Sequence, residues 1–186
     1  MYKFIFSCFY FFLPAYFANM TPSLSATLGA FKFLGKPIDA NREFRGRPIL
    51  GNHKTWRGPV LGSLVGMLVA FFQKWLFNNC PFAQSISIVN YQEINIWLFG
   101  LLMVFGAVFG DLFFASIKRR LDLKPGARFM PFDQINYVLG SAVFLTVFSD
   151  IQIGYSVWLT LLILTFILHV AATQIGFRMG LSKSQW

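Results

Sequence analysis

Composition and charge place the chain in a narrow class of proteins. It has 186 residues, of which 56% are hydrophobic and 12% charged, and its mean hydropathy is +0.58. A soluble domain carries about 25% charged residues, so this composition excludes a soluble globular protein and indicates an integral membrane protein. The net charge of +9 would favour nucleic-acid binding in a soluble protein. Here basic loops beside membrane spans account for it, and we predict one domain over residues 1–186 with no nucleic-acid partner.

Five apolar segments predict five transmembrane helices, because a span needs about 20 mostly apolar residues. The first segment covers residues 4–20 and contains Pro14. It lacks a clear small-residue cleavage site, so we interpret it as a retained helix rather than a signal peptide. The predicted fold is therefore an all-α bundle of five transmembrane helices. The other four segments cover residues 58–77, 94–117, 135–149 and 153–175.

The loops between these segments alternate between basic and neutral. The loop of residues 21–57 carries seven Lys and Arg residues, and the loop of residues 118–133 carries five. The loops of residues 78–93 and 149–152 carry none, and the tail is again basic, with Lys183 near its end. Basic loops stay in the cytoplasm. The pattern therefore predicts an external N-terminus, two long basic cytoplasmic loops and a cytoplasmic C-terminus.

Glycines recur at helical spacing in two of the predicted spans. Gly58, Gly62 and Gly66 form one run, and Gly106 and Gly110 form another. Small residues spaced by four let two helices approach closely. The spacing indicates tight packing within one chain, with a homodimer interface as the alternative.

Two carboxylates flank the second basic loop. Asp111 lies near the end of the third predicted span, and Asp133 opens the fourth. A carboxylate near hydrocarbon is costly and usually faces a protein interior or a water-filled site. Asn136 follows Asp133 by three residues, so the two side chains share a helix face. Such oxygens suit Mg²⁺ beside a bound polyphosphate.

Each carboxylate also has a structural interpretation. Lys118 lies seven residues after Asp111, about two helical turns along the same face, so an ion pair that anchors the helix is an alternative. Asp133 is a suitable N-cap residue for the fourth helix. The cap and ligand interpretations of Asp133 are compatible with each other.

A polar cluster, GNHKTWRG, directly precedes the second span. Lys54 and Arg57 are three residues apart and could grip phosphate oxygens together, and Thr55 adds a hydroxyl. A cationic membrane anchor is the alternative interpretation. The cluster lacks the GxxxxGK[ST] pattern of a phosphate-binding loop, and the chain shows no Ser/His/Asp or Cys/His nucleophile arrangement.

The remaining polar residues suggest structural roles. His53 is interpreted as structural, and His169, between two threonines in the last span, is expected to form a hydrogen bond within the bundle. Asp39 and Glu43 are expected to balance nearby arginines in the first basic loop.

The segment GDLFFASIKRRLDLKPGARFMPFDQIN, residues 110–136, resembles the cytidylyltransferase signature of membrane CDP-lipid synthases. That signature combines an Asp, an S-x-x-K-R run, a basic glycine-bearing loop, a proline and a polar helix start led by an Asp. The closer resemblance is to the CDP-archaeol synthase family, in which GNHKTWRG, LPAYFANM at residues 13–20 and PID at residues 37–39 also have counterparts. The resemblance covers nearly the whole chain and agrees with five spans.

This resemblance implies an Mg²⁺-dependent reaction that joins CTP and a membrane lipid phosphate, giving a CDP-lipid and pyrophosphate. It implies a site on the cytoplasmic side of the cell membrane. Asp111 and Asp133 would bind metal and pyrophosphate, and with Lys118 they form the predicted catalytic set. Two positions depart from the family pattern, because Asn136 and Asn52 stand where the family tends to carry an acid. The predicted substrate-binding residues are Lys54, Thr55, Arg57, Ser116, Arg119, Arg128 and Asn136.

Three functional alternatives remain open from the sequence. The lipid chains could be isoprenoid ethers or acyl esters. The chain could instead be a non-catalytic scaffold or small transport subunit that binds anionic lipid through its basic loops. It could also be a lipid phosphotransferase that uses ATP.

Overall fold

The computed structural model of the protein describes residues 1–123 and 127–178. Within these ranges the chain is mostly α-helical, with a short antiparallel hairpin in the first basic loop. Lys124 and Lys183, two of the basic residues used to orient the chain, lie outside the described residues, as does the tail from residue 179. The elements in chain order are α1 Tyr2–Phe11, α2 Leu13–Thr27, β1 Glu43–Phe44, β2 Arg47–Pro48, α3 Ser63–Asn79, α4 Pro81–Ile86, α5 Ile96–Arg120, α6 Phe132–Phe148 and α7 Tyr155–Arg178.

The first apolar segment forms two helices that meet at Phe12 with a bend of 55°. Pro14, at the start of α2, has no N–H and cannot bond the carbonyl oxygen of Tyr10 four residues earlier. The buried side chain of Gln73 in α3 donates a hydrogen bond to that oxygen instead. The prediction of one continuous helix over residues 4–20 is therefore wrong, because proline removes a helical bond that a neighbouring helix replaces.

Two glycines place α3 directly against the backbone of α2. A Cβ atom at Gly62 would lie 2.6 Å from the carbonyl oxygen of Ala18, and one at Gly66 would lie 2.7 Å from that of Pro14. Neither position has room for a side chain. The glycine run therefore serves packing within one chain, as the first of its two interpretations predicted, and α2 occupies the face that a second copy would need.

Helices α5 and α6 approach even more closely, and this contact determines the geometry of the site. A Cβ atom at Gly106 would lie 2.7 Å from the carbonyl oxygen of Gly140, and one at Gly110 would overlap the carbonyl group of Asn136. The Ser141 hydroxyl donates to the carbonyl oxygen of Met103 at 2.7 Å. As a result, the middle of α5 lies beside the first turns of α6.

Aromatic side chains fill the centre of the bundle. Phe11, Phe12 and Phe99 are fully buried, and the Phe12 ring stacks on Tyr137 of α6 with centroids 6.0 Å apart. Helix α7 packs on α1 and α6. The Tyr16 hydroxyl lies 2.6 Å from the Thr165 hydroxyl, which ties α2 to α7.

The helices have the length and composition of membrane spans. Among residues 1–123 and 127–178, three helices qualify individually, and the bent pair of α1 and α2 forms a fourth candidate. Helix α6 is apolar but has 17 residues, about 26 Å at 1.5 Å per residue, slightly short of a hydrocarbon core of about 30 Å. The protein is an integral membrane protein, while the count of five spans and the orientation stay predictions. The three helices are Gly58–Asn79, Ile96–Arg120 and Tyr155–Ile175.

Candidate functional site

Two adjoining cavities lie beside the C-terminal half of α5 and the start of α6. The larger, of about 320 Å³, is bordered by α2, the segment before α3, α5, α6 and His169 of α7, and we call it the His169 cavity. The smaller, of about 290 Å³, reaches the end of α5 at Arg119, and we call it the Arg119 cavity. Five residues line both cavities: His53, Lys54, Asp111, Asp133 and Asn136.

The first ion pair in this shared wall joins Lys54 and Asp111. The Lys54 ammonium donates to both carboxylate oxygens of Asp111, each at 2.7 Å. Asn136 directs its side-chain amide at the same carboxylate from α6, at 3.5 Å. The two side chains of the ion pair are 29% and 31% exposed, so a ligand entering either cavity can reach them.

The first basic loop holds Lys54 in place through its own backbone. The N–H of Ile38 donates to the carbonyl oxygen of Lys54 at 2.9 Å, and Pro37 pairs with Thr55 in an isolated antiparallel bridge. The Lys54 N–H in turn donates to the carbonyl oxygen of Gly51 at 3.1 Å. The PID and GNHKTWRG segments are thus one structural unit that presents Lys54 to α5.

The second ion pair joins Lys118 and Asp133. The ammonium of Lys118 lies 2.9 Å and 2.8 Å from the two carboxylate oxygens. The alternative interpretation, an ion pair of Asp111 with Lys118, is therefore wrong, because Asp111 pairs with Lys54 of the first loop and Lys118 pairs with Asp133 of α6. The N-cap of α6 is Pro131 rather than Asp133, so the cap prediction is also wrong. Asp133 instead accepts the N–H of Phe129 at 2.9 Å.

Arg119 is buried, with 7% of its surface exposed, and its side chain lines the Arg119 cavity. Its Nε atom is buried and has no hydrogen-bond partner among the described residues. An unpaired buried donor is costly, so a bound anion would stabilise this side chain. The Arg119 cavity is therefore lined by three cationic side chains, Lys54, Lys118 and Arg119, and by two carboxylates, Asp111 and Asp133.

Asp39 organises the first loop, a role that the sequence analysis missed. Its carboxylate accepts the N–H groups of Leu50 and Gly51, at 2.9 Å and 3.0 Å, and that of Asn41 at 3.1 Å. Burial raises the pKa of the Asp39 carboxyl group, but the backbone donors outweigh it and the net pKa lies below its ordinary value. The predicted balance with arginines is wrong for Asp39. The turn-forming Asn41 and the positive φ of Gly51 are consistent with a loop folded around a carboxylate.

The hairpin of β1 and β2 fixes the first loop to the end of α5. Arg120 donates to the carbonyl oxygens of Phe44 and Pro48, each at 2.6 Å. In the opposite direction, Arg47 donates a hydrogen bond to the carbonyl oxygen of Arg120 at 2.7 Å, and it forms an ion pair with Asp122 at 3.0 Å. Arg120 therefore holds the loop, while its neighbours Lys118 and Arg119 face the cavity.

Of the other predicted substrate-binding residues, one lines a cavity and three do not. Thr55 lines the His169 cavity. Arg57 lines neither cavity and donates to the carbonyl oxygen of Phe31 at 3.4 Å. Ser116 also lies outside both and bonds the carbonyl oxygen of Phe113 within its own helix at 2.8 Å. Arg128 is exposed between α5 and α6 and borders neither cavity.

Two histidines that the sequence suggested were structural border the site. His53 lines both cavities, and His169 lines the larger one. The flanking threonines serve other partners, because Thr165 bonds Tyr16 and Thr173 bonds the backbone oxygen of His169 at 2.8 Å. A lone histidine in an apolar helix carries no sequence signal for a cavity, since its neighbours depend on how the helices pack.

A metal ion would need ligands beyond those of the protein. Among residues 1–123 and 127–178, no group of three His, Cys, Asp or Glu side chains could hold a metal on its own. Asp111, Asp133 and Asn136 nevertheless share one wall. Mg²⁺ is usually held by one or two carboxylates with substrate phosphates and water, so this oxygen set fits it when a phosphate is bound.

Comparison with known proteins identifies the family to which the chain is similar. Residues 1–186 match the family of CarS-like CDP-archaeol synthases. The CDP-archaeol synthase of Thermococcus gammatolerans is 37% identical over 175 residues, which cover 94% of this chain and 92% of that protein. The CDP-archaeol synthase of Methanococcoides burtonii is 33% identical over 183 residues, covering 94% and 99%.

A solved structure of an intramembrane enzyme for archaeal membrane lipids biosynthesis has a similar fold. The TM-score is 0.68, with 24% identity, and the match covers 88% of this chain and 90% of that one. This likeness concerns the fold alone, whereas the sequence matches extend over nearly the full length of each relative. The chain therefore belongs to the CDP-archaeol synthase family.

Proposed function

We propose that this protein transfers CMP from CTP to a membrane lipid phosphate, giving a CDP-lipid and pyrophosphate. The observation that carries the proposal is the shared wall of the two cavities. There the carboxylates of Asp111 and Asp133 are each paired with a lysine, inside a bundle of apolar helices. Such a wall suits two anionic substrates, because each lysine can exchange its carboxylate partner for a phosphate oxygen.

The reaction needs positioning and charge neutralisation more than a protein nucleophile. An oxygen of the lipid phosphate forms a bond to the α-phosphorus of CTP, and the bond from that phosphorus to the β-phosphate oxygen breaks. Pyrophosphate leaves with its negative charge. Lys54, Lys118 and Arg119 lie where they can offset this charge. The attacking lipid phosphate is already an anion, so no strong general base is required.

Mg²⁺ is the proposed cofactor, and Asp111, Asp133 and the Asn136 side-chain oxygen are its proposed ligands. When bound, it would supply Lewis-acid neutralisation of phosphate oxygens. Both carboxylates already accept hydrogen bonds from lysines, so binding requires that the lysines turn toward phosphate. Asn136 stands where an acid is common in the family, and its neutral amide leaves the two aspartates as the charged ligands.

The proposed lipid substrate is an isoprenoid glycerol ether phosphate, as the names of the relatives suggest. The proposed orientation puts both cavities on the cytoplasmic side of the cell membrane, where CTP is available and where the basic first loop belongs. This orientation goes with the five-span topology, in which α6 is the short fourth span.

The test is pyrophosphate release by purified protein in detergent with CTP and Mg²⁺. One sample contains an isoprenoid ether phosphate and another contains a diacyl phosphatidic acid, and ATP replaces CTP in a third. We expect release with CTP and the ether lipid, and loss of release when a chelator is added. A folded protein that releases no pyrophosphate with either lipid would contradict the proposal and favour a non-catalytic role in binding anionic lipid.

A further inference from the structure

The two cavities share one wall but differ in their other walls. Away from the shared residues, the Arg119 cavity is bordered by Leu50 and Gly51 of the first loop and by Ala115 and Arg119 of α5. All of these lie in the loop region or at the end of a helix. A water-soluble ligand can approach this cavity from the loop side.

The His169 cavity, in contrast, reaches between two helices of the bundle. The bond between Tyr16 and Thr165 joins α2 to α7 at 2.6 Å. About one turn further along each helix toward the loops, Asn19 lines the cavity from α2 and His169 lines it from α7. The cavity therefore lies between α2 and α7, next to the hydrogen bond of Tyr16 with Thr165.

Exposed apolar side chains follow or precede the cavity-lining residues of both helices in sequence, next to Asn19, Ser23 and His169. Met20 and Leu24 of α2 are 63% and 59% exposed, and Leu168 of α7 is 39% exposed. Exposed apolar residues on spanning helices face hydrocarbon. A polar cavity with such flanks suits an amphiphile whose head group enters the protein while its chains stay in the bilayer.

We infer that the His169 cavity holds the head group of the lipid phosphate, with the His169 imidazole donating a hydrogen bond to a phosphate oxygen. The polyphosphate of the nucleotide then occupies the Arg119 cavity. The two substrates meet at the shared wall of Lys54, Asp111 and Asp133, which borders both cavities. This assignment rests on the proposed function and adds a place for each substrate.

His169 is suited to this role by its position and chemistry. Among the described residues of α7, His169 is the one that lines the cavity. An imidazole carries an N–H donor in both its neutral and its charged form, so the hydrogen bond does not depend on its protonation state. Asn19 on the opposite wall carries a second side-chain donor. Together they can grip a head group from both sides of the gap.

The experiment compares the KM for lipid phosphate with the KM for CTP in wild type and three variants. His169→Ala is expected to raise the KM for lipid phosphate about 10-fold or more, the usual cost of a lost hydrogen bond to a charged group, with little change in the KM for CTP. His169→Gln keeps a donor and is expected to recover part of the loss. Asn19→Leu removes the side-chain donor on the opposite wall, and it is also expected to raise the KM for lipid phosphate with little change in the KM for CTP.

Ile167→Ala is the matched control, because Ile167 lies on the same helix, is 57% exposed and borders neither cavity. It is expected to match wild type. Melting shifts caused by CTP alone and by lipid phosphate alone provide a second measurement that does not require turnover. Wild type without pyrophosphate release would contradict the proposed function itself. An active wild type whose His169→Ala and Asn19→Leu variants keep the normal KM for lipid phosphate, or change both KM values equally, would overturn the assignment of the cavities.

Discussion

Lys54 and Asp111 are joined by two hydrogen bonds of 2.7 Å, across 57 residues of sequence. One residue comes from the first basic loop, and the other comes from the C-terminal half of α5. The bond therefore exists only when the loop is docked on the bundle. In the proposed function, this lysine neutralises the carboxylate until phosphate or metal competes for it.

The first prediction concerns this pair. Asp111→Asn and Lys54→Met are each expected to lower pyrophosphate release about 100-fold or more, since each removes a charge that the transition state needs. Each single change also leaves a half-buried charge unpaired and lowers the melting temperature. The double variant removes both charges, so it is expected to regain melting temperature without regaining activity.

A double variant that regained activity would mean that the pair is only structural. Near-normal turnover of Asp111→Asn alone with CTP and Mg²⁺ would contradict the proposed metal role of Asp111. Size-exclusion profiles in detergent establish that each variant remains folded.

The second prediction separates Arg119 from Ser116 on the same helix. Arg119→Met is expected to raise the KM for CTP about 10-fold or more, because a buried guanidinium that faces the cavity is lost. Ser116→Ala is expected to stay within about twofold of wild type, since the hydroxyl bonds its own helix. Steady-state kinetics with varied CTP distinguish the two. Equal effects at both positions would show that the sequence motif, rather than the cavity, identifies the nucleotide site.

The sequence predicted the apolar helices well because each is a long hydrophobic run. Span 94–117 became Ile96–Arg120, and span 135–149 became Phe132–Phe148. The pairing of charges was not predictable in the same way. It depends on Gly110 bringing α5 against Asn136, and no local pattern encodes that distance.

Two other misses have physical causes of the same kind. The bend at Phe12 follows from Pro14, because a proline removes a hydrogen bond from the turn before it. The carbonyl oxygen of Tyr10, left without that bond, accepts one from Gln73 of α3. This second contact depends on how α2 and α3 pack, and the local sequence does not show it. The position of His169 depends on how α7 packs against α1 and α6. Sequence therefore identifies the residue types of the site, and packing decides which of them face the cavity.

The third prediction uses the pKa of Asp39. Three backbone N–H groups stabilise its carboxylate, so the pKa in the folded protein lies below the ordinary value of 3.8. A lowered pKa means that the ionised group stabilises the folded state fully above that value, and that this contribution disappears as pH falls through the folded pKa. The melting temperature of wild type is therefore expected to fall as pH decreases from about 5 to about 3.

Asp39→Asn should melt below wild type at neutral pH and should lose less on acidification. Glu43→Gln in the exposed hairpin is the matched control and should follow wild type. Parallel melting curves of wild type and Asp39→Asn across this pH range would contradict the role assigned to the Asp39 carboxylate.

The last prediction tests the contact that positions the site. Gly110→Ala places a methyl group into the carbonyl of Asn136, so α5 and α6 must separate. The separation would move Asp111 away from Asn136 and open the shared wall. We expect a lower melting temperature and at least a 10-fold loss of turnover, since small misplacements of catalytic groups are costly. Gly154→Ala is the control, because its Cβ atom would meet the Ser156 hydroxyl at an ordinary 3.7 Å and it borders neither cavity, and it should retain both properties. Wild-type turnover in Gly110→Ala would mean that the approach of α5 and α6 serves folding but not the geometry of the site.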